Sequence, residues 1–329
     1  MRGKLFPVLI AGLLAPGLAA AACDGRDLAA TWSEAFAAGI EAEADATPNG
    51  EGRFWEVERD GATSVLFGTI HLADEEVATP PPALLDRVES ARELLVEVTL
   101  DEEKRMMRSI LLNPSRVIDP EGRLLSDALN EGEFTEITAL LKDYGIGVEI
   151  AERMAPWYLV ITLSNPACLI EDMATGGTIL DRRIEALAKQ SEVPVGGLES
   201  FEDVFDLFST LSYEAQIEML RASLPTFALA EDYLETTRQL YLSGEIAAIQ
   251  AFAGAVLEQD IGADRAAEME EALFSRLLDT RNLRWIETLE PKLAEGDRVV
   301  AVGALHLGGE TGLLRLLEDR GVTVRRLPE

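Results

Sequence analysis

The chain has 329 residues, with 59 acidic against 29 basic side chains and a formal net charge of −30. That length buries a sizeable core, as one large α/β unit or as a core with a subdomain. The charge argues against nucleic acid or anionic membrane surfaces as partners, since both repel an acidic protein.

The first residues read as an export signal. Arg2 and Lys4 supply a positive start, Leu5–Leu18 is apolar, and Ala19–Ala22 ends in small residues before Cys23. Residues 1–22 are expected to be removed, leaving a mature chain of 23–329 that is periplasmic or secreted. The apolar run is too short, and too broken by Pro7 and Pro16, to span a membrane; no later stretch reaches roughly 18–20 apolar residues. Ala20-Ala21-Ala22-Cys23 also resembles a lipoprotein cleavage box, although the leucine three positions before the cysteine is missing. The two cysteines, in an oxidising compartment, suggest a Cys23–Cys168 disulfide; lipidation at Cys23 would instead leave Cys168 a free thiol.

In chain order, Asp24–Ala46 carries a helical pattern through Leu28, Trp32, Phe36 and Ile40. Thr47–Arg53 is rich in turn residues. Phe54–Arg59 alternates as a strand, and Asp60-Gly61 predicts a tight hairpin into a partner strand at Ser64–Gly68. After Pro80-Pro81-Pro82, Ala83–Arg92 is amphipathic and Leu94–Val98 is a buried strand interrupted by Glu97. A helix between two apolar strands implies parallel pairing. Residues 101–187 read as a mainly helical region or insertion, with Trp157 and Tyr158 in its core, followed by a helix at Ile179–Lys189. Val193–Glu199 is a short strand ending on a carboxylate. Helices follow from Phe201 to Ala294, with Asp264–Leu293 the longest polar-faced run. A strand at Val299, a helix at Glu310–Arg320 and a final strand at Val322–Leu327 close the chain. The fold class is therefore α/β, with a mixed, largely parallel sheet and surrounding helices.

One phrase occurs twice. Ser64–Leu72 and Val299–Leu307 are apolar runs that end in Gly-x-x-His-Leu, and they hold both histidines of the sequence, His71 and His306. Ligands of open parallel sheets bind beyond the carboxyl ends of the strands. His71, Glu97, Glu199 and His306 all fall at or just past such ends. Two imidazoles with carboxylates suit a divalent metal such as Mn²⁺, Co²⁺ or Zn²⁺, with His71, His306 and Glu97 as ligands. The same set without metal suits a general acid and base. Glu97 inside an apolar strand needs a function or an arginine partner, because burying it unpaired is costly. Glu199 stands where it also could cap the helix after it. Arg281, on a helix, would if inward-facing hold a substrate oxyanion or orient a carboxylate. There is no Gly-x-Ser-x-Gly, P-loop, Gly-x-Gly-x-x-Gly or His-Glu-x-x-His pattern.

At these residues the chain resembles the TraB/GumN family, related to the TIKI proteins. The resemblance rests on Leu66–His71, Val302–Leu307, the glutamate closing Leu94–Glu97, Gly197-Leu198-Glu199 and Arg281-Asn282, and runs from about Phe54 to Leu327. It implies an α/β fold and, for the TIKI branch, metal-dependent cleavage of N-terminal residues from a secreted protein. By that implication His71, His306 and Glu97 are metal or catalytic positions; the C-terminal anchor of TIKI proteins is missing. Three readings result: a metal-dependent, peptidase-like hydrolase with Glu97, Arg281 and Glu199 in catalysis; a non-catalytic binding protein for a small molecule, metal or haem-like ligand in the same cleft; and a metal-free, esterase-like hydrolase.

Overall fold

The strands are β1 (Phe54–Arg59), β2 (Ala62–Thr69), β3 (Glu93–Val96), β4 (Val195–Gly197), β5 (Arg298–Gly303) and β6 (Thr323–Arg326). They form one sheet in the order β4-β3-β5-β2-β1-β6 in the computed structural model, which describes residues 23–174 and 176–328. The expected leader, 1–22, lies outside the described residues. Strands β4, β3, β5 and β2 run parallel to one another, and β1 runs antiparallel to both β2 and β6. The sheet is thus mixed and largely parallel, as the patterning predicts.

The hairpin turn forms at Asp60-Gly61, where φ is 53° and 83°. Two consecutive positive φ values are what a two-residue hairpin loop requires, and Gly at the second position makes the turn cheap. Strand alternation then sorts side chains to the two faces. Val65, Phe67, Val299 and Ala301 pack against Leu84, Val88 and Ile184 on one face. Leu66, Val300 and Val302 pack against Trp285, Leu289, Leu313 and Leu317 on the other. A side-chain period of two puts successive residues on opposite faces, so both β2 and β5 are apolar throughout. Each large apolar side chain buried this way contributes about 1.5–3 kcal/mol.

Three predicted helices differ in extent. Asp24–Ala46 divides into a 3₁₀ turn at Leu28–Thr31 and a helix at Glu34–Ala46, because Trp32 and Ser33 are extended and the Ser33 hydroxyl caps Phe36 N at 3.2 Å. The long run through residue 293 is interrupted by a π-helical turn at Ser275–Asp279 before the helix Thr280–Leu293. The last helix is confined to Leu313–Glu318, starting after Gly312. Residues 101–187 are helical as expected, and Trp157 is 5% exposed, against Phe205.

Cys23 and Cys168 form the expected disulfide, which commits the Cys23 sulfur and leaves none for a lipid thioether. It anchors a strap in which Asp24 N donates to Glu231, Arg26 N to Asp232 and Leu28 N to the Thr236 hydroxyl, at 2.8–2.9 Å. Alternate amides of an extended segment therefore reach one face of the helix Ala230–Ser243. The bond closes a sequence separation of 145 residues. Replacing both cysteines with alanine should lower the unfolding free energy by about 2–4 kcal/mol. Urea denaturation of the oxidised protein beside the variant measures this; equal midpoints would show that the strap alone holds the terminus.

Candidate active site

Because β2, β3, β4 and β5 run in one direction, their carboxyl ends share one edge of the sheet. Registers Thr69↔Gly303, Val96↔Ala301 and Val96↔Gly197 place those ends side by side. His71, Glu97, Glu199 and His306 follow these ends within a few residues, which brings the predicted set to one edge of the sheet. Gly68 is needed for it: an added Cβ there would lie 2.8 Å from Ala304 Cα and 2.9 Å from its Cβ. That close approach packs one Gly-x-x-His strand against the turn carrying the other. The Tyr241 hydroxyl locks the same point by donating to Gly68 O at 2.8 Å.

Arg281 is the centre of the cluster. Its Nη2 reaches Glu97 Oε2 and Glu199 Oε1, each at 2.5 Å, and its Nε reaches Glu199 Oε1 at 3.0 Å. Its Nη1 donates to Leu277 O at 2.9 Å and faces His306 Nε2 at 3.1 Å. All five guanidinium N–H groups are thereby engaged. Of the two roles open to an inward Arg281, the geometry is that of a carboxylate holder, with no N–H left for a substrate oxyanion. The guanidinium also lies over the Trp285 ring, 4.6 Å from its centroid. Arg284 adds a second cation to Glu199 at 3.2 Å.

The two histidines stand in opposite environments. His306 is 3% exposed and packs on Trp285, with ring centroids 4.4 Å apart. Asn282 Nδ2 donates to the carbonyls of His306 and Thr311, so its Oδ1 is an acceptor, and His306 Nδ1 at 2.7 Å must carry the proton. Nε2 then offers its lone pair to Arg281. Burial, with the charges of Arg281 and His71, lowers the His306 pKa to about 4, against the pull of Glu97. It is neutral at pH 7.

His71 has 61% of its side chain in solvent, and its Nδ1 lies 3.3 Å from Asp181 Oδ2. Asp181 is oriented by the Thr69 hydroxyl, which donates to Oδ1 at 2.7 Å. The Asp181 charge raises the His71 pKa to about 9, with smaller contributions from Glu97 and Glu103. Solvent around the exposed ring partly screens that field. Burial pushes Glu97 up, but His306, Arg281 and His71 and the Gly303 N–H, at 2.6 Å from Oε1, hold its pKa down at about 2. Since His306 is neutral above pH 4, Arg281, His71 and the Gly303 amide are what keep Glu97 ionised near pH 7. Glu199 shares the same guanidinium, yet burial raises its pKa, because no backbone amide supports it.

Both imidazoles can be observed directly, since the sequence holds no others. A proton NMR titration should show His71 changing charge well above its unperturbed value of about 6.5, and His306 showing no titration above pH 5. The signs follow from the shifts. The His71–Asp181 pair contributes stability that is complete below about pH 6.5 and fades as pH rises through 9. His306 and Glu97 contribute stability that is complete above their unfolded pKa values of about 6.5 and 4.3, and is lost as pH falls through about 4 and 2. A His71 midpoint at or below 6.5 would dissolve the Asp181 pairing.

Asp181 and the Gly303 amide are site groups that sequence reasoning does not identify. Asp181 sits in the first turn of the helix Leu180–Gln190, where an acid reads as an ordinary partner of the helix dipole. Nothing in spacing links it to His71, 110 positions earlier in the chain. Asn282 was visible only as part of the Arg281-Asn282 phrase, without its role on His306.

A resident divalent ion does not fit the donors as arranged. Among the described residues no group of three or more His, Cys, Asp or Glu converges to hold one. The physical reason is Arg281, which covers Glu97 Oε2 and the His306 Nε2 lone pair and so stands where a cation would.

Residues 53–326 match the TraB/PrgY/gumN family. The chain is 23% identical over 255 residues to the uncharacterized protein YbaP of Shigella flexneri, covering 77% of this chain and 87% of the relative. It is 23% identical over 253 residues to YbaP of Escherichia coli K12, covering 77% and 86%. An uncharacterized protein of Treponema pallidum is 21% identical over 284 residues, covering 82% and 81%. With the match spanning the sheet, both Gly-x-x-His turns and Arg281, the chain belongs to the TraB/PrgY/gumN family.

Proposed function

We propose that this cleft is the active site of an exported hydrolase that cleaves peptide or ester bonds by general acid–base chemistry. The observation that carries the reading is the His71–Asp181 pair: a solvent-reachable imidazole held against an oriented carboxylate, within the field of an ionised Glu97. In this scheme Glu97 accepts a proton from the attacking water as its oxygen adds to the substrate carbonyl. The carbonyl–leaving-group bond then breaks, and the His71 imidazolium delivers its proton to the departing nitrogen or oxygen. Arg281, saturated by its partners, keeps Glu97 ionised and fixed in direction, while burial keeps His306 neutral and Asn282 fixes its tautomer. Export is part of the reading: the disulfide supports an oxidising compartment, and no helix among the described residues is long and apolar enough to cross a membrane.

The experiment is a panel of chromogenic peptides and esters offered to the purified mature protein, with and without a chelator. Chelator-resistant turnover that vanishes in Glu97→Gln supports the reading. Turnover lost to the chelator and restored by Mn²⁺, Co²⁺ or Zn²⁺ would replace it with the metal-dependent one, in which Arg281 must yield His306 to the ion. Absence of turnover across the panel would leave the cleft to a bound small molecule instead.

A further inference from the structure

A cavity lies between the helices Phe201–Ser209, Tyr213–Phe227 and Ala263–Phe274. Its volume is about 350 Å³, within the range of small-molecule sites. Its apolar wall is built from half-buried Leu207, Phe208, Leu211, Met269, Leu273 and Leu277. No Ser, Thr, Asn, Gln, Tyr, His or Trp lines it, so nothing along the wall can satisfy a hydroxyl or amide on a ligand. The polar lining is charge alone: Glu218, Arg265, Glu268 and Arg276. Glu218 is occupied by both Arg221 and Arg265, at 2.8 Å each. Arg276 forms no ion pair among the described residues, although the chain carries about two acids for every base. Its planar guanidinium suits a carboxylate, and unlike that of Arg265 it is not already paired with Glu218.

The floor of the cavity is unusual backbone. Arg276 and Leu277 belong to the π-helical turn Ser275–Asp279, a form that is rare and often marks functional positions. Leu277 lines the cavity, and its carbonyl accepts from Arg281 Nη1. On the other side, the helix from Phe201 begins two residues after Glu199. The π-helical turn that leads into Arg281 and the helix that follows Glu199 therefore both contribute residues to the wall of this cavity.

We infer that the cavity binds a single-chain aliphatic carboxylate, with the hydrocarbon along the apolar wall and the head group on Arg276, and that the π-helical turn links its occupancy to Arg281. This stands independently of the hydrolytic reading. Isothermal titration calorimetry with dodecanoate below its micellar concentration tests it. Saturable binding is expected, weakened at least about tenfold by Ala215→Trp and by Ala272→Trp, both at solvent-exposed small residues on the wall. Arg276→Gln should weaken dodecanoate several-fold, while Glu268→Gln should leave it equal or tighter. The His306 imidazole signals should move on saturation, through Leu277 and Arg281. Absence of saturable binding, unchanged affinity in both tryptophan variants, or tighter binding of dodecylamine than of dodecanoate would overturn the site. Binding with unmoved His306 signals would overturn the link.

Discussion

Replacing Arg281 with methionine should lower the unfolding free energy by about 3–5 kcal/mol at pH 7, the largest stability effect of any single substitution in the cleft. The side chain is 9% exposed and holds Glu97 and Glu199, which are 13% and 2% exposed. Methionine fills much of the same volume over Trp285 but leaves two carboxylates in a poorly solvated space without their shared cation. Total stabilities of about 5–15 kcal/mol make that loss a large fraction of the whole. The dependence on pH has a definite sign. Burial already raises the Glu199 pKa and Arg281 is what opposes it, while Glu97 would keep His71 and the Gly303 amide. Without Arg281 both pKa values therefore rise, Glu199 furthest, and the defect grows with increasing pH. Adding Glu199→Gln to Arg281→Met should recover part of the loss, a coupling that a double-mutant cycle in urea isolates. A loss below about 1 kcal/mol at pH 7 would mean that water reaches the carboxylates freely, contrary to their burial.

Under the proposed chemistry, His71→Ala should reduce turnover about 10²–10⁴-fold with little change in stability, because its side chain is mostly in solvent. Loss of rate alone does not separate a proton donor from a binding contact, so the sharper variant is Asp181→Asn. The protonated form of His71 is the active one in this scheme, and activity should fall as pH rises through the His71 pKa. Asparagine removes the charge that raises that pKa, so the alkaline limb should move down from near 9 towards about 6.5, with activity at pH 6 less affected than at pH 8. An unshifted limb in Asp181→Asn would take the proton-donor role away from His71. His306→Ala should behave differently: it leaves Asn282 Oδ1 and an Arg281 N–H unpaired in a buried space, and acts on stability before rate.

The contrast between the histidines marks the limit of sequence reasoning. Both occur in the same Gly-x-x-His-Leu frame, and equivalent roles were the natural expectation. The first frame leaves β2 into a loop exposed to solvent, whereas the second enters a 3₁₀ turn at Ala304–His306 packed under the helix Thr280–Leu293. One imidazole is thus charged and reachable, the other neutral and walled in. Arg281 shows the same limit: its type and position were legible, but whether it faced an oxyanion or carboxylates depended on Glu97 and Glu199 arriving from β3 and β4.

From its sequence alone this chain specifies the α/β class, the Asp60-Gly61 hairpin, and the strand ends that carry His71, Glu97, Glu199 and His306. Those properties follow from local periodicity, turn chemistry and residue scarcity, all of which act over a few neighbouring positions. Only the tertiary structure decides that Arg281 fills the centre of the cluster, that Asp181 charges His71, and that Asn282 fixes the proton on His306. Charge state and donor direction depend on burial and on partners distant in the chain, from 24 positions for His306 and Asn282 to 206 for Glu97 and the Gly303 amide. A sequence pattern names the groups at the edge of the sheet, and the packing around them sets which ones carry a proton.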